Sequence, residues 1–424
     1  MQGQGLQFYP RKSAANDVLN FGNSGDFGNL KMTLPKGFLF SACTAGIKAS
    51  GKPDLALAVA PGGATAAAMF TRNQVVAAPL TVDREHLRLS RGRVHAVIVN
   101  SGNANCATGA QGIRAAKATS GEVAQALNIR PEQVFPSSTG IIGVPLPVEK
   151  ISAALPALVA SAGDERESLD AFATAIMTTD THMKVAFAEI THKNRVATIA
   201  GVAKGAGMIH PNMATMLVYL FTDVMAAPRE LQQSLKGAVE QTFNCMSIDG
   251  DTSTNDTALL LASGKSGVQL KAVDSRFQKG LREVCRSLAE QIICDGEGVE
   301  HVVLLKIEQA RNYEQARQIA QTIATSMLTK TAWAGADPNW GRILAAIGRS
   351  GVKINPAKIN VYLGGQIVCH NGGSVAFDAH QVHEYMSLPA YEIRITLGLG
   401  KARLEFLTCD LTQEYVHINA DYST

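Results

Sequence analysis

A glycine-rich segment leads directly into an apolar run near the middle of the chain. Residues 204–216 read Lys-Gly-Ala-Gly-Met-Ile-His-Pro-Asn-Met-Ala-Thr-Met, and residues 216–222 read Met-Leu-Val-Tyr-Leu-Phe-Thr. The glycines and the proline disfavour a regular helix or strand in the first half. The apolar run has the length of a strand buried on both faces. We therefore predict a loop that ends at a central strand, with Ala214 and Thr215 at the junction. A glycine-rich turn that merely enters a strand explains these residues equally well.

Composition limits the class of protein. A chain of 424 residues is long enough for two or three domains. Its formal net charge of +3 is too small to indicate a nucleic acid or an anionic membrane as partner. The seven cysteines are scattered without a Cys-x-x-Cys pair, which predicts reduced thiols and a cytoplasmic location. No apolar run reaches the ~18 residues that would span a bilayer.

The remaining patterns indicate a mixed α/β protein. Residues 1–33 are polar and rich in glycine and asparagine, and we interpret them as a loosely ordered extension. A hairpin is expected over 54–71, around Pro61-Gly62-Gly63, and a polar loop over 134–143. Apolar periodicity predicts helices at 112–127, 147–178, 230–243, 276–294 and 314–328, and strands at 94–99, 257–262, 301–307, 359–363, 366–369, 392–397, 403–407 and 415–418.

Several familiar kinds of catalytic and metal site are missing from the sequence. It contains no Gly-x-Ser-x-Gly elbow, no P-loop and no His-Glu-x-x-His. The alternating polar residues from Asp249 onward resemble a calcium loop, but the glycine is at the second position instead of the sixth, and Leu260 stands where such a loop has its final glutamate. His380 and His383 form an isolated His-x-x-His without a nearby third ligand. We therefore predict no metal site.

Thr215 is the remaining candidate nucleophile. A threonine hydroxyl needs an adjacent base, and one available base is the threonine's own α-amino group, whose unperturbed pKa is near 8. Freeing that amine requires cleavage of the bond between Ala214 and Thr215. Thr139 and Gly140 lie in a small polar segment, where a hydroxyl and a free backbone amide could stabilise an oxyanion.

Five motifs resemble those of the ornithine acetyltransferase, or glutamate N-acetyltransferase, family of arginine biosynthesis. The resemblance runs in order from about residue 34 to the C-terminus. Its motifs are Asn-Ser-Gly-Asn-Ala-Asn at 100–105, Met-Thr-Thr-Asp at 177–180, the segment at 204–216, Ser-Ile-Asp-Gly-Asp-Thr-Ser-Thr-Asn-Asp at 247–256 and Gly-Ala-Asp-Pro-Asn-Trp-Gly-Arg at 335–342.

The resemblance implies a self-cleaving transferase. It implies cleavage between Ala214 and Thr215, Thr215 as the nucleophile and Thr139 with Gly140 as the oxyanion hole. The substrate-binding positions that it implies are Thr178, Lys204, Thr215, Glu297, Asn419 and Thr424.

The implied fold is an αββα sandwich like that of self-processing aminopeptidases, with an additional C-terminal α/β domain. The expected α chain spans 34–214. The β chain begins with 215–300, which completes the sandwich, and continues with 301–424, which returns to the active site.

The implied reaction moves an acetyl group from N2-acetylornithine to glutamate without a cofactor, and acetyl-CoA is left open as a second donor. The expected partners are the α and β chains of the protein itself, assembled as an α2β2 heterotetramer. A self-processing amidase or aminopeptidase of the same architecture, with water as the acceptor, is the alternative. A binding protein without catalytic activity is a third interpretation.

Overall fold

The computed structural model describes residues 33–210 and 216–421. Ala214, Thr215, Thr424 and all but the last residue of the 1–33 extension therefore lie outside the described residues. The described chain divides into two compact units. One comprises residues 34–299 together with 412–421, and the other comprises residues 300–411.

The first unit contains an eight-stranded sheet in the order β4-β3-β2-β8-β7-β6-β5, with β1 paired to β2. The six residues of β7 and the six of β8 are all buried and pair in parallel, as expected for apolar runs of this length. The predicted central strand is thus confirmed. The strands are β1 Leu39–Cys43, β2 Leu55–Phe70, β3 Arg93–Asn103, β4 Val134–Ile141, β5 Lys184–His192, β6 Arg195–Lys204, β7 Leu217–Thr222 and β8 Thr257–Ala262.

The helices of this unit cover two separate regions of the sheet. They are α1 Ala78–Leu89, α2 Gly109–Leu127, α3 Val148–Ala160, α4 Arg166–Ala175, α5 Pro228–Gln241 and α6 Asp274–Cys294. Helices α1 and α2 pack on β4 and α3 packs on β1, whereas α5 packs on β2 and α6 on β5 and β6. Between these two groups of helices, the ring centroids of Phe40 on β1 and Phe221 on β7 lie 4.9 Å apart. The predicted mixed α/β class is confirmed, and the layers follow the αββα order.

Helix α6 shows why the prediction of a helix at 276–294 succeeded. Its buried residues Phe277, Leu281, Leu288 and Ile292 recur at the three- and four-residue spacing of one helix face. That face packs against β5 and β6. Helix α5 begins with Pro228, whose fixed φ suits a first helical turn.

Three predictions about residues 34–299 of this unit are wrong. The hairpin at 54–71 is the single strand β2, because a register shift between Val59 and Ala64 absorbs the Pro-Gly-Gly. The loop at 134–143 is largely strand β4, whose backbone pairs in parallel with β3. The helix at 147–178 is broken into α3 and α4, and between them Gly163 forms backbone hydrogen bonds with Phe40.

The second unit contains a six-stranded sheet in the order β12-β11-β10-β13-β9-β14, with α7 packed on β9 and β14. The predicted strands from residue 301 to 407 are confirmed. The elements are β9 Val302–Ala310, α7 Tyr313–Ala324, α8 Met327–Ala334, α9 Trp340–Gly348, β10 Asn360–Leu363, β11 Gln366–His370, β12 Gly373–Ser374, α10 Ala379–Met386, β13 Ala390–Thr396 and β14 Ala402–Cys409.

The chain ends with α11, Gln413–Asp421, which belongs to the first unit. The strand predicted at 415–418 is therefore wrong. Four residues are too few to distinguish a period of two from the helical period. Across the described ranges, no helix is long and apolar enough to cross a membrane.

Candidate active site

A cavity of about 150 Å³ in the first unit brings together the predicted site residues that the structure describes. Its walls come from the ends of β4 and β6, the turn after α6, the 249–255 loop and helix α11. The predicted residues that line it are Thr139, Gly140, Thr178, Lys204, Glu297 and Asn419.

Thr139 and Gly140 lie at the end of β4, in register with Ser101 and Gly102 of β3. The close approach of the two strands requires glycine at position 140. Its φ is +131°, and a Cβ there would lie 2.4 Å from the carbonyl carbon of Gly102. Thr139 is buried, and its Oγ1 accepts a hydrogen bond of 3.2 Å from Lys204 Nζ. The pair thus presents a hydroxyl beside a fixed cation.

Lys204 ends β6 and lies within a group of buried charges. Burial lowers the pKa of the Lys204 ammonium, an effect opposed by the carboxylate of Asp180. Asp180 Oδ1 accepts hydrogen bonds from Lys184 Nζ at 2.7 Å and from Gly205 N at 2.6 Å. Burial alone would raise the pKa of Asp180, but the charges of Lys184 and Lys204 hold it well below its ordinary value. Asp180 therefore fixes the backbone directly after Lys204.

The carboxylate of Glu297 occupies the space that a side chain at position 207 would need. A Cβ at Gly207 would lie 2.5 Å from Glu297 Oε2. That same oxygen accepts a hydrogen bond of 2.9 Å from Asn419 Nδ2 on α11, and Glu297 N donates to Ala206 O at 2.9 Å. The glycine-rich segment, the turn after α6 and the last helix thus meet at one carboxylate.

Asp249 lies beside Glu297 and was missed as a site residue. Its carboxylate accepts hydrogen bonds from Met208 N at 2.5 Å and Ile209 N at 2.9 Å. Burial raises the pKa of the Tyr415 phenol, and the nearby charge of Asp249 raises it further. Burial raises the pKa of Asp249 to about 6, although the backbone donors favour the anion. The sequence does contain a signal for Asp249, since residues 247–256 form one of the family motifs. The alternating acids of that motif also resemble a calcium loop, which hides this role.

Asp256 holds the backbone that follows Thr215 in the chain. Its Oδ1 accepts a hydrogen bond of 3.0 Å from Met216 N, and Thr257 N donates to Met216 O at 3.0 Å. Burial raises the pKa of Asp256 well above its ordinary value. The start of β7 is therefore fixed from both sides of Met216.

One group in the second unit has the composition of a metal site. Ligand atoms of Glu300, His301 and Asp410 all lie within 4.8 Å of one another. Asp410 Oδ1 already accepts a hydrogen bond from Glu300 N, and His301 Nδ1 contacts Leu388 O. Asp410 and His301 thus each have a protein partner, while Asp410 Oδ2 is buried without a hydrogen bond to any described residue.

The ArgJ family model matches residues 39–424. The chain belongs to the ArgJ family. It is 44% identical over 397 residues to the arginine biosynthesis bifunctional protein ArgJ of Thermus thermophilus, covering 93% of this chain and all of that protein. It is 43% identical over 390 residues to the protein of the same name from Chlorobaculum tepidum, covering 92% and 96%.

A crystal structure of the ArgJ protein of Bacillus halodurans matches with a TM-score of 0.47 and 34% sequence identity. The match covers 48% of this chain and 98% of the crystallised chain. Membership of the ArgJ family confirms the predicted resemblance. It also confirms the predicted assignment to an acetyltransferase of arginine biosynthesis.

Proposed function

We propose that the chain moves an acetyl group from N2-acetylornithine to glutamate through an ester on Thr215, giving ornithine and N-acetylglutamate. The observation that carries this proposal is the meeting of Thr139, Gly140, Lys204 and Glu297 at one cavity. These are the residue types that acetyl transfer between two amino acids needs. They combine an oxyanion site, a cation for a carboxylate and a carboxylate for an ammonium.

Self-cleavage between Ala214 and Thr215 comes first in this proposal. The hydroxyl of Thr215 attacks the carbonyl of Ala214, and water opens the resulting ester. The freed α-amine then acts as the base for Thr215. The products are an α chain, 1–214, and a β chain, 215–424, which assemble as α2β2.

Thr139 and Gly140 stabilise the oxyanion in each half of the reaction. The tetrahedral intermediates on the acetyl carbon carry a negative oxygen, which the Thr139 hydroxyl and the Gly140 amide can bind. Because Lys204 donates to the oxygen of Thr139, the threonine's own proton stays available for that oxyanion. The adjacent positive charge strengthens this donor.

Lys204 and Glu297 give the cavity opposite charges for a zwitterionic amino acid. Lys204 pairs with the substrate α-carboxylate, and Glu297 with the δ-ammonium of ornithine. Thr178, Asn419 and Thr424 complete the binding positions. We assign no cofactor. We place the enzyme in the cytoplasm, in keeping with seven cysteines that form no disulfide within the described chain.

The acceptor distinguishes this transferase from a hydrolase of the same architecture. We expect N2-acetylornithine to be consumed beyond one equivalent per enzyme only when glutamate is present, with one N-acetylglutamate formed for each further ornithine released. Equal consumption with and without glutamate would indicate an amidase and contradict the proposal. Replacing acetylornithine by acetyl-CoA in the same assay tests whether there is a second donor.

A further inference from the structure

The cavity is acidic where the substrate side chain is proposed to bind. Among the residues that line it, Lys204 is the one with a cationic side chain, and Asp249, Asp251 and Glu297 carry carboxyl groups. If Lys204 pairs with the α-carboxylate, no cation is left for the side chain among the described residues that line the cavity. This arrangement suits the ammonium of ornithine and repels the second carboxylate of glutamate.

The carboxyl groups of Asp249 and Glu297 contact neighbouring residues of the glycine-rich segment. Glu297 packs against Gly207, and Asp249 binds the backbone N–H of Met208, the next residue. Tyr415 of α11 lines the same cavity, and burial together with the charges of Asp249 and Glu297 raises the pKa of its phenol. A carboxylate placed beside Glu297 is therefore also close to Asp249.

We propose that Asp249 takes up one proton from solvent when glutamate binds, and stays ionised when acetylornithine or ornithine binds. One cavity can then accept side chains of opposite charge. The proton is held while the glutamate side chain is in the site, and it returns to solvent when N-acetylglutamate leaves. This inference rests on the proposed function and names a specificity-determining residue within it.

The surroundings of Asp249 raise its pKa toward neutral pH. Burial raises the pKa of Asp249 to about 6, with a further increase from the negative charge of Asp251 on the same loop. The N–H groups of Met208 and Ile209 act in the opposite direction. A free enzyme at neutral pH therefore holds Asp249 mostly ionised, and one additional carboxylate nearby raises its pKa further.

The other titratable groups near Asp249 do not neutralise it. Burial and the neighbouring acids Asp249, Glu297 and Asp251 raise the pKa of Tyr415, so this phenol remains a neutral donor. Burial lowers the pKa of His210, which contacts Ser247, so the imidazole is neutral at pH 7.5. Lys204 Nζ donates a hydrogen bond to Thr139 Oγ1.

Proton-linked calorimetry on the processed, full-length enzyme tests the proposal. Binding of glutamate, glutamine and ornithine is measured at pH 7.5, without an acetyl donor, in buffers of different ionisation enthalpy. All three ligands share the α-amino acid group, so differences between them report the side chain. We expect glutamate to take up close to one more proton than glutamine or ornithine. Equal proton uptake for the three ligands would overturn the proposal.

The variant Asp249→Asn assigns the proton to a residue, with Glu283→Gln, an exposed acid on α6, as the control. We expect the control to keep the extra proton uptake and Asp249→Asn to lose it. In the wild type, KM for glutamate should rise up to about tenfold per pH unit above neutrality, and this rise should vanish in Asp249→Asn. Extra uptake that persists in Asp249→Asn would overturn the assignment.

The wild-type proton uptake tests the proposal even if Asp249→Asn does not fold. An enzyme that transfers acetyl groups with equal proton uptake contradicts this inference alone. An enzyme that neither binds the two amino acids nor transfers acetyl groups contradicts the proposed function itself.

Discussion

Glycine at position 207 is required by a neighbouring side chain as well as by the backbone. Its missing Cβ leaves room for the carboxylate of Glu297, 2.5 Å from where that atom would lie. We expect Gly207→Ala to displace Glu297 and raise KM for N2-acetylornithine about 10–100-fold, the loss of one charged hydrogen bond. Steady-state kinetics checks this, with Gly121→Ala as control, because a Cβ at Gly121 meets nothing within 4 Å. Equal KM values for the two variants would count against Glu297 as the ammonium site.

Thr139 offers a test of the oxyanion site that leaves its surroundings in place. Thr139→Ala removes one proposed donor, and such losses commonly lower kcat by ~10²–10³. Thr139→Ser keeps the hydroxyl and should retain most of the activity. Initial rates at saturating substrate measure the effect, and circular dichroism checks the fold. Unchanged turnover in Thr139→Ala would make this threonine only a strand residue.

The ion pair of Asp180 and Lys184 connects elements on either side of the site. Lys184 begins β5, and Asp180 also binds the backbone after β6. Both side chains are buried. Asp180→Asn should therefore cost about 1.5–3 kcal/mol of unfolding free energy, the value of a hydrogen bond to a charged group, because Asp295 Oδ2 remains 2.5 Å from Lys184 Nζ. Urea denaturation measures this cost, with the exposed ion-pair variant Glu283→Gln on α6 expected to cost far less.

The same pair makes a pH prediction. The folded-state pKa of Asp180 lies below its ordinary value of 3.8. The stabilisation from this group is therefore complete above that value and is lost as the pH falls below it. The difference in stability between wild type and Asp180→Asn should be constant from pH 5 to 7 and shrink toward pH 3. A difference that grows on acidification would contradict this assignment.

The elements differ in how far their sequences determine them. Strands β7 and β8 could be predicted because continuous apolar runs fit only a buried strand. Strands β2 and β4 were missed because local turn residues within them are accommodated by pairing to distant strands. Long-range contacts also explain the site residue that was not predicted. The role of Asp249 depends on the N–H groups of Met208 and Ile209, which precede it by 41 and 40 residues.

On the scale of the whole molecule, the proposed cut divides the site between two chains. Thr139 and Lys204 precede residue 215, whereas Glu297 and Asn419 follow it. Strand β6 pairs with β7, and β2 with β8, so the sheet joins both parts by backbone hydrogen bonds. We expect the α and β chains to remain associated after cleavage, and gel filtration followed by denaturing electrophoresis to show both in one peak. Chains that separate under native conditions would contradict this expectation.

The central claim is that Thr215 carries the acetyl group, and the mass of the β chain tests it most directly. Cleaved enzyme is incubated with N2-acetylornithine labelled in its acetyl group and without an acceptor. We predict one acetyl group on the chain that begins at Thr215, mapped to that residue and discharged by glutamate as N-acetylglutamate. An active enzyme that remains a single uncut chain, or an acetyl group mapped to another residue, would contradict the account.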